Sequence, residues 1–232
     1  MKLASYFKIS ALCVVLFSVG CNNGDDVGEP LTTKVLFFNA IPDVNSITIQ
    51  VDGQALTNVS YSANSNYFDI ETGIRSLSIL DTSSDEILLD ADFNLVLANS
   101  HSSLFLAGSR SDVRFAIEID EILGDGSAEG TTVRFSSLRM VHLLNDEPDA
   151  LQPLAAGYFN GAMINYLDPT GWFSDANPAS FPWNFANSAG DTLVTYQYVQ
   201  KPDLTRSIVV LGNVANNSIG VRELVHDTVG NL

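Results

Sequence analysis

The chain has 232 residues with 27 acidic and 11 basic side chains, so its formal net charge at pH 7 is −16. This charge excludes nucleic acid as a partner, because a nucleic-acid-binding protein needs a basic face. The only cysteines, Cys13 and Cys21, both lie in the first 21 residues, which leaves the rest of the chain without a disulfide, a thiolate zinc site or a cysteine nucleophile.

The N-terminus is typical of an export signal. Two lysines precede a short apolar run at residues 9–19, and the small residues 18–20 stand directly before Cys21. The run is too short to span a bilayer as a permanent helix. Small residues before a cysteine at the end of such a run resemble the lipobox of bacterial lipoproteins. The resemblance implies that residues 1–20 are a signal peptide and that Cys21 carries the lipid; a plain secretory peptide is the alternative.

The segment after the lipidated cysteine is polar. Residues 22–33 (NNGDDVGEPLTT) hold too little apolar surface to fold, so residues 21–33 are predicted to be a lipidated Cys and a flexible tether. Asn22 stands where an Asp in Gram-negative lipoproteins often signals inner-membrane retention. By that resemblance the chain is expected in the cell envelope, lipid-anchored at the outer membrane, with the membrane as its partner through the lipid.

Strand patterns dominate the remainder. In Ser46–Val51 polar and apolar residues alternate, which places three apolar side chains on one face, and the following Asp52-Gly53 predicts a hairpin turn. Residues 74–80 alternate again, and 115–123, the best candidate for a helix, is short and rich in β-branched residues. Further strands are predicted near 35–38, 55–56, 87–89, 93–97, 104–107, 113–119, 132–144, 162–167, 192–199, 207–211 and 219–225.

A weak internal repeat divides these strands. Asn39 and His142 each follow an apolar run, 103 positions apart, and Gly108 and Gly212 each end one, 104 positions apart. An acidic, glycine-rich segment at 118–130 separates the copies. The spacing of strands and turns predicts an all-β fold of two tandem antiparallel β-sandwich domains, at 34–125 and 131–232. One larger sandwich is the alternative.

The first copy carries a family resemblance. The stretch KVLFFNAIPDVNSITIQVDGQAL at 34–56 resembles the opening of the bacterial domain-of-unknown-function family 4397: an apolar strand, a His-Ala-Ser-Pro-Asp-like turn and a strand ending in Val-Asp-Gly. The segment 138–150 looks like a degraded second copy, with His142 where the family has His. The resemblance implies immunoglobulin-like β-sandwich modules on exported proteins and carries no active site. The signature itself is structural: Pro42 and Asp43 shape a turn, and Gly53 supplies a positive φ.

The sequence contains few motifs that indicate catalysis or metal binding. The histidines 101, 142 and 226 are far apart and favour structural roles, and the hydrolase elbow Gly-x-Ser-x-Gly is absent. The acidic loops at 120–129 and 146–149 suit Ca²⁺ in residue type but not in spacing. They are interpreted as solvated loops, and no catalytic residue, metal site or cofactor is predicted.

The most unusual segment is a loop insert predicted at 168–187, which holds both tryptophans among Pro, Gly and polar residues. Loop aromatics can form a platform for a sugar or a protein; the alternative is that they pack as a plug between domains. The predicted ligand-binding residues are Trp172, Phe173, Phe181, Trp183 and Phe185.

The sequence therefore predicts a non-enzymatic binding or structural module of the cell envelope, with a glycan or an envelope protein as its ligand. A hydrolase that uses Asp168 and Asp175 around Trp172, since glycosidases need two carboxyl groups, is one alternative. A purely architectural spacer is the other.

Overall fold

A computed structural model describes residues 29–120, 136–147, 149–154, 163–175, 180–199, 201 and 204–226. The described strands are β1 (Thr32–Asn39), β2 (Ser46–Val51), β3 (Gln54–Ser60), β4 (Phe68–Glu71), β5 (Gly73–Asp81), β6 (Ile87–Leu95), β7 (His101–Ser109), β8 (Asp112–Asp120), β9 (Ser136–Leu144), β10 (Gln152–Leu154), β11 (Phe173–Asp175), β12 (Ser180–Ala186), β13 (Thr192–Val199), β14 (Thr205–Gly212) and β15 (Gly220–Val225). The all-β prediction is confirmed.

The first half of the chain forms a sandwich of two four-stranded sheets. Their strand orders are β4-β1-β7-β8 and β3-β2-β5-β6. The alternation predicted for β2 and β5 is confirmed: Ile47, Ile49, Leu77 and Ile79 are fully buried in the core between the sheets. The predicted hairpin after β2 is also present, with Gly53 at a φ of 75°.

The second half also contains two sheets, but one of them has three described strands instead of four. Its sheets have the orders β11-β9-β14-β15 and β10-β12-β13. Each half also contains a parallel pair inside an otherwise antiparallel sheet, β1 with β7 and β9 with β14. The predicted repeat positions fall on matching strands, since Gly108 ends the run in β7 and Gly212 ends β14. The immunoglobulin-like assignment and the domain limits stay predictions.

A third core joins the halves. The faces of β1 and β7 that point away from the first core pack against β9, β14 and β15 through Leu36, Phe38, Phe105, Val141 and Val209, among others. The continuous apolar run of β1 follows from this, because the strand is buried on both faces. The described residues from Leu31 onward belong to one compact unit.

The predicted loop insert differs from the structure. Residues 173–175 and 180–186 form β11 and β12, and β12 pairs with β13 through Pro182 opposite Gln197. Pro and Gly indicated a loop, but the apolar-polar alternation around Trp183 fits a strand with one buried face. The helix candidate 115–123 lies within β8 as far as Asp120, and 121–123 lie outside the described residues. Of the predicted strand 162–167, the described residues Ile164, Asn165 and Tyr166 form isolated bridges.

Candidate functional site

The interface between the halves is apolar along most of its length and polar at one end. On each strand the polar residue lies two positions before an apolar one on the same face: Ser103 before Phe105, and Arg139 before Val141. Because side chains two apart in a strand point the same way, these polar groups point into the interface. Ser103, Arg139 and Ser207 are all buried.

Asp120, the last residue of β8, is the centre of this polar end. Its carboxylate accepts hydrogen bonds from the Ser103 hydroxyl at 2.9 Å, the Tyr67 hydroxyl at 2.7 Å and Arg139 Nη2 at 2.6 Å. The Asp120 and Arg139 side chains are 0% and 1% exposed. A carboxylate of the first half therefore forms a buried ion pair with a guanidinium of the second.

Arg139 uses its whole guanidinium at this junction. Nε donates to the Ser207 hydroxyl oxygen at 2.8 Å and Nη1 to the Ile119 carbonyl at 3.2 Å. The guanidinium carbon lies 4.5 Å from the ring centre of Trp172 and 5.2 Å from that of Phe105, which adds cation–π attraction. Arg139 thus contacts strands of both halves at once.

His226 closes the network from the second half. Its Nε2 is 2.8 Å from the Ser207 hydroxyl, and its Nδ1 is 2.9 Å from the Tyr67 hydroxyl and 3.4 Å from Asp120 Oδ2. The Ser207 hydroxyl therefore bridges Arg139 and His226, and His226 Nδ1 faces the Asp120 carboxylate and the Tyr67 hydroxyl.

Ser207, His226 and Asp120 stand in the order of a hydrolase triad. The three residues are 0%, 1% and 5% exposed, and the Ser207 oxygen already accepts from Arg139. A nucleophile must be reachable by its substrate, and this hydroxyl is closed off on all sides by protein. In this structure the three residues link the two sandwiches through hydrogen bonds.

The charges of this group stabilise one another. Burial alone would raise the pKa of Asp120, but the hydrogen bond and charge of His226, together with the charge of Arg139, hold that pKa below its ordinary value. Burial lowers the pKa of Arg139. An arginine nevertheless keeps its charge across the physiological range, so the pair is ionised.

Trp172 is the predicted binding residue that the structure places at this junction. It is half-buried, its indole N–H donates to the Ile119 carbonyl at 3.1 Å, and its ring meets that of His226 edge-on at 5.5 Å. Asp168, one of the two carboxylates of the hydrolase alternative, accepts from the Asn165 amide at 2.9 Å. The side chain of Asp175 lies outside the described residues.

The other predicted aromatic residues lie elsewhere. Trp183 and Phe185 are 1% and 0% exposed in the second core, where Trp183 stacks on Tyr198 with ring centres 4.5 Å apart. Phe173 packs against the same core, and the side chain of Phe181 lies outside the described residues. The structure does not bring the five together into one surface, and their role in binding stays a prediction.

Two repeated turns explain the family signature. In the first half Asn39 Oδ1 accepts the Ile41 backbone N–H at 3.0 Å, and in the second half His142 Nδ1 accepts the Leu144 N–H at 3.2 Å. Each is therefore a side-chain acceptor for the residue two positions on. His142 Nε2 lies within hydrogen-bond distance of the Glu147 carbonyl oxygen, at 2.9 Å, so the histidine holds its own loop.

The acidic residues that follow each signature also correspond. The Asp43 carboxylate accepts the Arg110 backbone N–H at 3.0 Å, and the Asp146 carboxylate accepts the N–H groups of Val214 and Ala215 at 2.7 Å. Each carboxylate fixes the turn that follows β7 or β14, the strands that contain Gly108 and Gly212. No group of three His, Cys, Asp or Glu side chains suited to a metal ion occurs within the described ranges.

A polar depression lies beside the first of these turns. It has a volume of about 260 Å³, and its wall includes Asp43, Asn45, Asp81, Thr82 and Arg110. Arg110 is fixed there by ion pairs with Asp81 and with Glu86. Hydrogen bonds from Ser83 hold the pKa of Asp81 at about 2, so its carboxylate is charged at neutral pH.

The buried network was missed at the sequence level. Tyr67 and His226 are 159 positions apart, and Arg139 and Ser207 are 68 apart, so no local pattern joins them. The only local signal is Arg139, a charged residue inside an apolar run that a strand buries on both faces. Cys21 lies outside the described residues, and within the described part no helix is long and apolar enough to cross a membrane.

Comparisons with known proteins bear on the family. No curated protein sequence matches the chain. A carbohydrate-binding module of family CBM26 from Eubacterium rectale Amy13K, solved in complex with maltoheptaose, is 10% identical, with a TM-score of 0.30 over 85% of this chain and 99% of that chain. At this TM-score the likeness supports no inference about a ligand. The family model "Domain of unknown function (DUF4397)" matches residues 33–149, from β1 through β9. The match spans half of the chain, which therefore belongs to the DUF4397 family.

Proposed function

We propose that the chain is a lipid-anchored, non-catalytic module of the cell envelope that presents one rigid β-sheet body to an envelope glycan or protein. The observation that carries this proposal is the sealed network around Asp120 and Arg139. Its polar groups hold the two sandwiches together, so the module presents its surface loops in a fixed arrangement. Fixed loops on a rigid scaffold favour binding, because less freedom is lost when a ligand is bound.

The anchor is supported by the sequence around Cys21. A cysteine that follows an export signal and small residues is the acceptor of two or three acyl chains, which suffice for stable attachment. Because the chain has a formal net charge of −16, anionic lipid does not attract it, and the acyl chains must provide the attachment. Retention of the wild-type protein with the membrane fraction, and its release in the Cys21→Ser variant, would support the anchor.

The polar depression is the surface that we assign to the ligand. Its wall combines an arginine, two carboxylates and neutral side chains such as Asn45 and Thr82. Such groups donate and accept in the pattern that hydroxyl-rich ligands require. The volume of about 260 Å³ is smaller than a drug-sized pocket, which suits one sugar ring or one polar side chain of a partner.

Retention on immobilised envelope glycans and envelope proteins tests this assignment. We expect the wild-type protein to be retained and Asn45→Ala to weaken retention about tenfold, the effect of one lost hydrogen bond to a polar ligand. Asn58→Ala, at another exposed asparagine, on β3, is the matched control. Wild-type protein that no envelope glycan or protein retains would favour the architectural spacer, and turnover lost in Asp168→Asn would favour the hydrolase.

A further inference from the structure

One end of the first sandwich exposes several large apolar side chains. This end contains the start of β1, the start of β5, the loop after β6 and the end of β8. It carries half of the exposed large apolar side chains in the described residues, with exposures from 47% to 71%. We call the following residues the apolar end patch: Leu31, Ile74, Val96, Leu97 and Ile119.

Backbone pairing brings the segments that carry these residues to the same end of the sandwich. The Leu31 carbonyl accepts the Thr72 N–H, and the Thr32 carbonyl accepts the Asn99 N–H, which ties the start of β1 to β5 and to the loop after β6. Gly73 pairs with Leu95, so Ile74 lies next to the same loop. Val96, Leu97 and Ile119 line one cavity of about 160 Å³, whose wall also contains Glu118 and neutral polar side chains. Single exposed apolar residues are ordinary, but a contiguous group marks an interaction surface.

The position of the tether identifies what covers this patch. Leu31 is itself part of the patch, and only nine residues separate it from Cys21. Even fully extended, that stretch reaches no more than roughly 35 Å. The chain therefore enters the body at this end, within that distance of a lipid on Cys21.

We propose that the apolar end patch rests on the lipid surface into which Cys21 inserts, an inference that depends on the proposed lipid anchor. Exposed side chains such as Ile74 and Val96 enter the boundary between headgroups and acyl chains, where burial of apolar surface is favourable. The acidic chain is repelled by anionic lipid, so the proposed surface is zwitterionic. The two sandwiches then stand with a fixed end on the membrane.

Trp172 lies beside the patch. It is half-buried, and its indole N–H bonds to the carbonyl of Ile119, a residue of the patch. Its ring faces the Arg139 guanidinium at 4.5 Å and the His226 ring at 5.5 Å. Emission from Trp172 therefore reports on the border between the patch and the buried network.

The test uses the lipidated protein in phosphatidylcholine vesicles, with the Val96→Cys variant carrying a polarity-sensitive fluorophore. Cys13 leaves with the signal peptide and Cys21 is acylated, so the new thiol is the only reactive one. Val96 is 70% exposed, and its replacement leaves the core intact. We expect emission shifted to the blue relative to the protein in solution, and quenching by lipids with a nitroxide near the headgroup.

Ile87→Cys with the same fluorophore is the matched control. Ile87 is 60% exposed at the start of β6, whereas Val96 follows its end, so the two labels lie roughly 30 Å apart on one strand. We expect neither the shift nor the quenching at Ile87. Adding Leu97→Asp to the Val96 variant should abolish both effects, because a charge at the membrane boundary opposes insertion.

Flotation of the vesicles separates the two proposals. Protein that floats with the vesicles while the Val96 label stays as exposed as the Ile87 label overturns membrane docking and leaves the anchor standing. Protein that does not float overturns the anchor and docking with it. A Val96 label already shielded in the Cys21→Ser protein in solution means that a second copy covers the patch, which also overturns docking.

A second readout needs no label. In the Trp183→Phe variant Trp172 is the only tryptophan, and we expect its emission to be quenched by the same nitroxide lipids. If that variant fails to fold, the wild-type protein serves instead, because Trp183 is 1% exposed and is not accessible to the quencher. Tryptophan emission that ignores the quencher contradicts the proposal.

Discussion

Asp120 determines how the two halves meet. Removing a carboxylate and a guanidinium from water costs several kcal/mol for each ion, and only good geometry with further hydrogen bonds offsets that cost. Here the carboxylate accepts from Arg139, Tyr67 and Ser103, and charge-assisted bonds are the stronger class. The same residues would be costly if any one of them lost its partner.

The Asp120→Asn variant should therefore be strongly destabilised. It leaves the Arg139 charge buried without a counter-charge, and loss of one partner of a buried pair costs on the order of 3–5 kcal/mol. The free energy of unfolding from urea titration measures the loss. Asp112→Asn is the control, because Asp112 forms an exposed pair with Arg114 and should leave the urea midpoint almost unchanged. Equal losses in the two variants would mean that the buried pair does not hold the halves together.

His142 gives the unfolding free energy a dependence on pH. Burial lowers its pKa, and its Nδ1 accepts the Leu144 N–H, so the folded state holds the ring neutral. The unfolded chain takes up a proton near its ordinary pKa of about 6.5. Because the unfolded state then binds more protons, stability is lost as the pH falls from about 6.5 toward the folded pKa.

The His142→Asn variant tests this linkage. Asn39 shows in the first half that an asparagine can accept the N–H two positions on, so the turn keeps its acceptor. Urea titrations at several pH values between about 5 and 7 should show a smaller pH slope in the variant than in the wild type. An unchanged slope would show that His142 titrates in the folded protein as it does in the unfolded chain.

At the scale of elements, a glycine at the same place in each half allows the chain to turn from one strand into the next. Gly108 and Gly212 have φ values of 103° and 121°. A Cβ at either position would overlap a backbone carbonyl oxygen, of Asp112 in the first case and of Ser218 in the second. Only glycine permits both the backbone angle and the close approach of the next strand.

Gly108→Ala should reduce stability by on the order of 2–3 kcal/mol, since strain and overlap add. Gly190→Ala is the matched control: its φ of 88° is also positive, but no atom lies within 4 Å of an added Cβ. It should cost only about 1 kcal/mol, from the backbone angle. Thermal melts of the two variants give the comparison, and a Gly190 variant as unstable as the Gly108 variant would contradict the overlap argument.

The elements that sequence predicts well are those with a regular pattern. Ser46–Val51 and Thr192–Val199 are found with the predicted limits, because one buried face imposes alternation. Asp52 and Gly53 fix the hairpin between β2 and β3, since both adopt a positive φ. Local rules suffice where one residue's neighbours in sequence are also its neighbours in space.

The rest depends on contacts between distant residues. The strand around Trp183 cannot be predicted from sequence because Pro182 and the nearby Gly and Asn residues indicate a loop. Its pairing with β13 overrides that local preference. The parallel pairing of β1 with β7 leaves no pattern of its own. Tyr67, Asp120 and Ser207 look like ordinary polar residues until the fold places them on facing sheets.

At the scale of the whole molecule, the four sheets form consecutive layers with three cores between them. The two outer cores belong to one half each, and the middle core belongs to both. Leu36, Phe38, Phe105 and Val141 belong to the apolar part of this middle core, and the Asp120 network lies at its polar end. The halves are therefore expected to unfold together, although each has two sheets and a core of its own.

Scanning calorimetry of the purified protein tests this account most directly. We predict a single transition whose calorimetric enthalpy equals its van't Hoff enthalpy, because the shared core and the Asp120–Arg139 pair couple the halves. Two separate transitions, or a calorimetric enthalpy close to twice the van't Hoff value, would show that the sandwiches unfold independently and would contradict the rigid body on which the proposed function rests.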